Sequence, residues 1–230
     1  MIFCNRSEGY CLQSRFFFLL ILTLSFLVKG WGQINKNNDW QIWALGSVGK
    51  GFNNNMAVRI DTEYRFGDDA SKLYFAYIQG FIEYEPSSFC LVAPGYRQEW
   101  IRSSTHSWRK TYNPLVDTTF IFRRSYFFIT DRNRVQYQFL KEETNRWIYR
   151  NRFRITFTTE VKGIGIDPFI DNEIFFVEKR GINQNRASIG CLFIFNELFQ
   201  SRIFYLLRHL KREGHWTHQN VMNLHLYFAF

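Results

Sequence analysis

Eleven arginines stand on a shared parity of extended stretches: Arg59, Arg65, Arg97, Arg132, Arg134, Arg150, Arg152, Arg154, Arg186, Arg202 and Arg208. The same parity carries Asp61, Glu63, Glu83, Glu99, Asp171 and Glu173. A guanidinium fork binds a carboxylate in bidentate fashion, and a low dielectric rewards the pairing. Two chemistries follow from gathering these groups. One is a hydrogen-bonded ionic filling; the other, favoured by the excess of arginine, is an anion-attracting pore or pocket. The densest run is 145–158, where Arg150, Arg152 and Arg154 alternate with Trp147, Tyr149, Phe153, Ile155 and Phe157. A helix would scatter these arginines around its circumference, whereas a strand collects them on one face and the aromatics on the other.

The remaining reactive side chains form no comparable constellation. His215 and His218 have an HxxH spacing, which is geometrically poor on a strand, and Glu213 is the one carboxylate nearby. His209 and His225 fall on adjacent strands within reach of Ser201, so a Ser-His pair, and with it an outer-membrane hydrolase, is an alternative that no further residue selects. Cys90 and Cys191 lack the spacing of a metal knuckle or disulfide framework and read as small apolar side chains. No catalytic residue, metal site or cofactor is assigned. Nucleic-acid binding needs bases stacked and phosphates paired on one surface, yet here aromatic and basic residues alternate between faces. Nucleic acid is therefore excluded as the expected partner.

The elements that must carry these residues follow from the bulk numbers. The chain is 46% hydrophobic and 20% aromatic, but its mean hydropathy is −0.27. Alternation resolves the conflict, because it cancels in an average and survives as a face. Residues 16–28 form an uncharged apolar run between Arg15 and Lys29, too short for a spanning helix and suited to a secretory signal with cleavage after Gly32. Residues 1–32 are thus expected to be a signal peptide, which takes Cys4 and Cys11, and residues 33–230 the exported domain. The formal charge of +9 falls to about +7 once Arg6, Arg15, Lys29 and Glu8 are set aside.

Eleven alternating stretches are legible: 40–48, 56–66, 73–85, 88–100, 118–122, 127–139, 145–158, 169–178, 183–195, 198–210 and 220–230. Pro86-Ser87 and Asn196-Glu197 read as short turns between antiparallel neighbours. Residues 101–115, with His106, Trp108 and Pro114, read as a loop or a loop plus one strand, and 211–218 as a charged loop. The last stretch places Met222, Leu224, Leu226, Phe228 and Phe230 on one parity.

A soluble sandwich also alternates, but strands of about ten to thirteen residues exceed the usual five or six and match the nine to eleven needed to cross lipid with tilt. Aromatics such as Trp40, Tyr84, Trp100 and Tyr149 lie toward strand ends, as interfacial girdles do. Backbone groups in lipid require a closed sheet. The expectation is therefore an all-β, antiparallel transmembrane barrel. Twelve strands result if 107–115 supplies one, because bacterial single-chain barrels have even numbers; ten result if 40–48 stays outside or two stretches merge.

The ordered motifs Trp40-Gln41-Ile42-Trp43, Glu63-Tyr64-Arg65, Gly95-Tyr96-Arg97, Asp131-Arg132-Asn133-Arg134, Tyr149-Arg150-Asn151-Arg152, Asn172-Glu173-Ile174-Phe175 and Asn185-Arg186 resemble a bacterial family catalogued only as a domain of unknown function, whose members resemble outer-membrane β-barrels. The resemblance covers the whole exported chain, with a departure around Trp108-Arg109. It implies the Gram-negative outer membrane as location and adds no catalytic residue. The expected lumen network is Glu63, Arg65, Arg97, Glu99, Arg132, Arg134, Arg150, Arg152, Arg154, Glu173, Arg186 and Arg202. Expected partners are outer-membrane lipid and the barrel assembly machinery, engaged through the strand ending at Phe230. The expected role is structural or passive passage. A soluble periplasmic barrel holding an apolar ligand in an apolar interior would reverse the faces.

Overall fold

Period-two alternation over long stretches leaves each strand with one apolar and one polar face, and closing the sheet on itself gives each face its own side of the wall and removes the edges. The computed structural model describes residues 37–102, 107–141, 143–212 and 214–230, and the expected signal peptide at 1–32 lies outside them, as do His106 and Glu213. Among the described residues there are twelve strands and no helix: β1 (Asp39–Asn53), β2 (Met56–Gly67), β3 (Lys72–Ser87), β4 (Cys90–Arg102), β5 (Trp108–Arg123), β6 (Phe127–Leu140), β7 (Arg146–Phe157), β8 (Glu160–Val161), β9 (Ile164–Val177), β10 (Gly181–Ile194), β11 (Phe199–Arg212) and β12 (His215–Ala229).

Eleven of them form a closed barrel in sequence order, each paired antiparallel with the next. The ring closes where β12 meets β1 in a parallel pairing that runs from Asp39 opposite Gln219 to Gly49 opposite Ala229. The twelfth strand, β8, is a two-residue piece folded back on the start of β9 through Lys162 and Gly163, both at positive φ, as a tight two-residue hairpin demands. Twelve strands are thus present, but the wall has eleven. An odd wall puts β1 and β12 in the same direction, so the chain enters at one rim and leaves at the opposite one. We call these the entry rim and the exit rim.

The eleven legible stretches are the eleven wall strands, with four differences. Residues 108–117 extend the 118–122 stretch backward into the sixteen-residue β5. They escape a simple alternation reading because their inward positions are the uncharged or apolar Thr111, Asn113 and Leu115, while Lys110 and Pro114 interrupt the outward series. The expected loop at 211–218 is largely strand, since Lys211 pairs with Trp216 and Arg212 with His215. The turn placed at Pro86-Ser87 lies two residues later, with Ser87 opposite Cys90. The stretch at 40–48 continues to Asn53.

Inside, three apolar clusters lie among the polar groups, the largest made of Trp43, Phe169, Phe204, Leu206 and Val221. Two glycines make room for them. A Cβ on Gly95 would lie 2.5 Å from both the Gly80 carbonyl oxygen and the Phe81 ring, and one on Gly190 would lie 2.2 Å from Phe204 Cβ. Each bare position lets a neighbouring phenyl ring lie flat across the wall.

Candidate functional site: the interior of the barrel

The inward parity of β2, β4, β6, β7, β9, β10 and β11 delivers its arginines and carboxylates to one enclosed volume. Eleven of the twelve expected network residues line a single cavity of about 340 Å³, and Glu99 lies just beyond it toward the entry rim. The structure adds members to that network. Asp117, inward on β5, accepts a bidentate pair from Arg134, Nε to Oδ1 at 2.5 Å and Nη2 to Oδ2 at 2.7 Å. It sits one residue before the legible 118–122 stretch, and extending the parity of Thr119 back by two finds it. Asp61 accepts from Ser47 (2.6 Å), Gln79 (2.5 Å) and Arg59, and Arg59 also donates to Glu83 at 2.7 Å. Arg65 pairs with Glu63, and Arg154 with Asp171.

Glu173 is the hub. Its Oε1 accepts from Arg132 at 2.5 Å and Arg150 at 2.9 Å, and its Oε2 from Arg186 at 3.2 Å. These bonds draw β6, β7, β9 and β10 together from one carboxylate. The directly facing residue on β7 is Arg152, which takes no part. Two couples of like charge face each other across β6 and β7, Arg132 opposite Arg152 and Arg134 opposite Arg150, and such couples repel unless anions intervene. Glu173 and Asp117 supply that compensation for three of the four.

Arginine burial depends on aromatic faces as well as carboxylates. Arg65 lies 3.8 Å from the Trp43 ring centre and 4.2 Å from Phe75; Arg186 lies 4.9 Å from Trp43 and 4.4 Å from Phe175. Arg97 covers Tyr77 at 4.1 Å. Inward aromatics are therefore part of the interior, so the clean separation of aromatic and basic residues onto two faces is incomplete. They are enclosed by the wall and do not form an accessible surface.

The two ends of the interior differ. Near the entry rim, polar side chains close on one another. Asp39 accepts from Gln41 at 2.7 Å, and Gln41 Oε1 accepts from the Trp43 indole at 3.0 Å and the Tyr74 hydroxyl at 2.8 Å. Glu99 accepts from Arg97 (3.2 Å), Thr111 (3.1 Å) and Gln138 (3.4 Å). Asp39, Asn113 and Gln219 are 0% exposed, which makes this end a floor. None of these three lines the cavity, whose wall runs through Leu91, Ile121, Phe128, Leu192 and Tyr227 on the exit-rim side. The interior is a cup closed at one end. Its lining mixes these charged groups with apolar side chains such as Leu91, Phe128, Leu192 and Phe204.

The histidine alternatives separate geometrically. His225 is inward, opposite Arg202, and shares a 3.0 Å contact with the Tyr227 hydroxyl. Ser201 is one residue off in register and falls on the other face, as does His209, which faces His218 across β11 and β12. Among the described residues no three His, Cys, Asp or Glu side chains are placed to hold a metal ion.

The outer face is apolar along every wall strand, with Ile60, Ile82, Val116, Phe153, Ile170, Ile189 and Leu224 all exposed. Trp40, Trp108, Trp147 and Trp216 occupy the first or second residue of strands starting at the entry rim, and Trp100 ends one there; the exit rim carries Phe52, Phe89, Phe122, Phe157, Phe195 and Phe230. A polar belt interrupts this face on β6, β7, β9 and β10. Asn151 donates to Asp131 at 2.5 Å and to Asn133 at 3.1 Å, and Asn172 and Asn185 exchange reciprocal amide bonds at 3.2 and 3.1 Å. The amides satisfy one another sideways.

A family model described as "Protein of unknown function (DUF2490)" matches residues 40–219. No curated protein and no solved structure matches the chain.

Proposed function

We propose that this chain, which belongs to the DUF2490 family of proteins of unknown function, is an integral outer-membrane β-barrel whose interior is a closed, ion-paired cup and not a through-pore. One observation carries the location: a closed wall whose outward face is apolar on all eleven strands, with tryptophans ringing one rim. Exposed apolar surface on that scale exceeds what a monomer leaves in water, and an indole belongs at the headgroup level. The amides of the polar belt bond sideways to one another and to Asp131, which lowers their cost in lipid.

The closed floor carries the role. An ion crossing from one rim to the other would have to break the buried hydrogen bonds around Asp39, Gln41, Glu99 and Asn113, each of which leaves a buried polar group unsatisfied. A structural or receptor-like barrel fits this interior better than passive passage. Membrane fractionation together with heat-modifiable gel mobility tests the location and closure: the protein is expected in the outer membrane, migrating faster unheated than boiled. A protein soluble in buffer without detergent would end the membrane reading. Planar-bilayer recording tests the floor, and steady ion current through the folded protein would restore passive passage.

A further inference from the structure

The charges inside the cup do not balance on the exit-rim side. Arg132, Arg150 and Arg186 share Glu173, and Arg154 takes Asp171. Arg152 and Arg202 have no carboxylate within ion-pair distance among the described residues. Their Nε atoms are buried without a hydrogen-bond partner. With Asp117, which pairs with Arg134 and lies 3.9 Å from Arg132, seven guanidinium groups meet three carboxylates in this region of a shielded interior. Uncompensated charge is costly there, and two planar forks with open donors are the arrangement that phosphate oxygens satisfy.

Phe169 ties Arg202 to Arg154, the neighbour of Arg152 on β7. Arg154 lies 4.2 Å and Arg202 5.5 Å from the centre of that one ring, while Arg202 also lies 5.2 Å from Tyr227. Arg152 precedes Arg154 by two on the same face of β7 and stands opposite Arg132. All four arginines line the cup, together with the hydroxyl-bearing Thr130, Thr156 and Tyr227.

We propose that the cup is a binding site for a soluble oxyanion of two or more negative charges, of the phosphomonoester or pyrophosphate class, gripped by Arg152 and Arg202 and flanked by Arg132 and Arg154. The proposal deepens the cup reading: it rests on the arginine-rich exit-rim end of that interior and is independent of the floor and of where the barrel resides. A multiply charged anion is selected over a lone carboxylate because the local excess exceeds one charge. The Phe128, Leu192 and Phe169 surfaces leave the walls able to hold the organic body of such a ligand.

The test is titration calorimetry of the full exported chain, folded in zwitterionic detergent, with pyrophosphate as the probe. Binding is expected, and Arg152→Gln with Arg202→Gln should weaken it by about 30-fold, the loss of one or two charge-assisted hydrogen bonds. Arg109→Gln, at an exposed pair with Glu143 on the entry rim, should leave it unchanged. Heat-modifiable mobility of each variant shows that the barrel is intact. A folded wild-type protein that does not bind pyrophosphate, or a folded double variant that binds equally well, would overturn the proposal. Vesicles of phosphatidylcholine with and without phosphatidylglycerol distinguish the phosphate source: binding in both supports a soluble ligand, and abolition by phosphatidylglycerol assigns the site to lipid headgroups and overturns it. Ion current with pyrophosphate binding retained would remove the closed floor and leave the anion site standing.

Discussion

Two arginines of the same face should respond oppositely to the same substitution. Arg134 is locked by both nitrogens onto Asp117, so Arg134→Gln leaves a buried carboxylate whose next cation, Arg132, is 3.9 Å away. Breaking such a pair costs about 3 kcal/mol. Arg152 faces Arg132 with no carboxylate of its own, so Arg152→Gln removes repulsion and should be neutral or slightly stabilising. Urea unfolding in detergent or vesicles is expected to show a lowered midpoint for the first and an unchanged or raised one for the second. Equal losses in both would mean that Arg152 has a counter-ion in the folded protein that its position does not reveal. On the outer face, Phe153 lies mid-strand and 46% exposed. Phe153→Arg should cost about 2–4 kcal/mol if it faces lipid near mid-depth, and assembly into membranes should fall; unimpaired assembly would count against the lipid-facing assignment.

At the scale of elements, the odd wall makes a sharp demand on the seam. In the parallel pairing Ala44 stands opposite Leu224. With Cys90→Ala and Cys191→Ala in place, Ala44→Cys combined with Leu224→Cys should oxidise to a disulfide in the folded barrel, detected as a mobility shift reversed by reductant. No shift would argue that β1 and β12 meet differently. Elsewhere in the wall, Phe204 packs where Gly190 has no side chain. Gly190→Ala forces Phe204 or the β10–β11 pairing to move, a strain of about 1–3 kcal/mol, which should appear as a lower unfolding midpoint with barrel mobility retained. The same substitution at Gly80, where a Cβ meets open space, is the control.

At the scale of the molecule, strand faces divide the chain between two environments, and the interior is divided again between a floor and a cup. The floor is built from amides and hydroxyls gathered around the carboxylates Asp39 and Glu99, without an excess of arginine. The cup is built from arginines that outnumber their carboxylates. That asymmetry along the axis makes the expected outcome in planar bilayers a membrane without current. It also makes the exit rim the side from which a ligand would enter. Loss of the floor is the way to convert the barrel: Gln41→Ala with Asn113→Ala removes hydrogen-bonding groups without adding bulk, and current should then appear if the floor is the barrier.

Most of the wall was legible in sequence because side-chain direction on a strand has a period of two and needs only neighbours to be read. The parity of 145–158 therefore assigned Phe153 outward and Arg150, Arg152 and Arg154 inward without knowledge of any partner. The inward placement of Asp117 was obscured because Thr111, Asn113 and Leu115 lack charge and Pro114 breaks the outward series. Which arginine meets which carboxylate depends on register and stagger around a closed ring. Arg132 reaches Glu173 across 41 residues of chain, whereas Arg152, directly opposite Glu173, does not. Closure is likewise a property of the whole: eleven strands with a parallel seam, instead of an even antiparallel set, follow from how the first and last strands meet. Sequence by itself determined the two faces, since that is local geometry. Tertiary structure alone decided the number of strands in the wall, the closed end and the two unpaired guanidinium groups, since each depends on contacts between residues far apart in the chain.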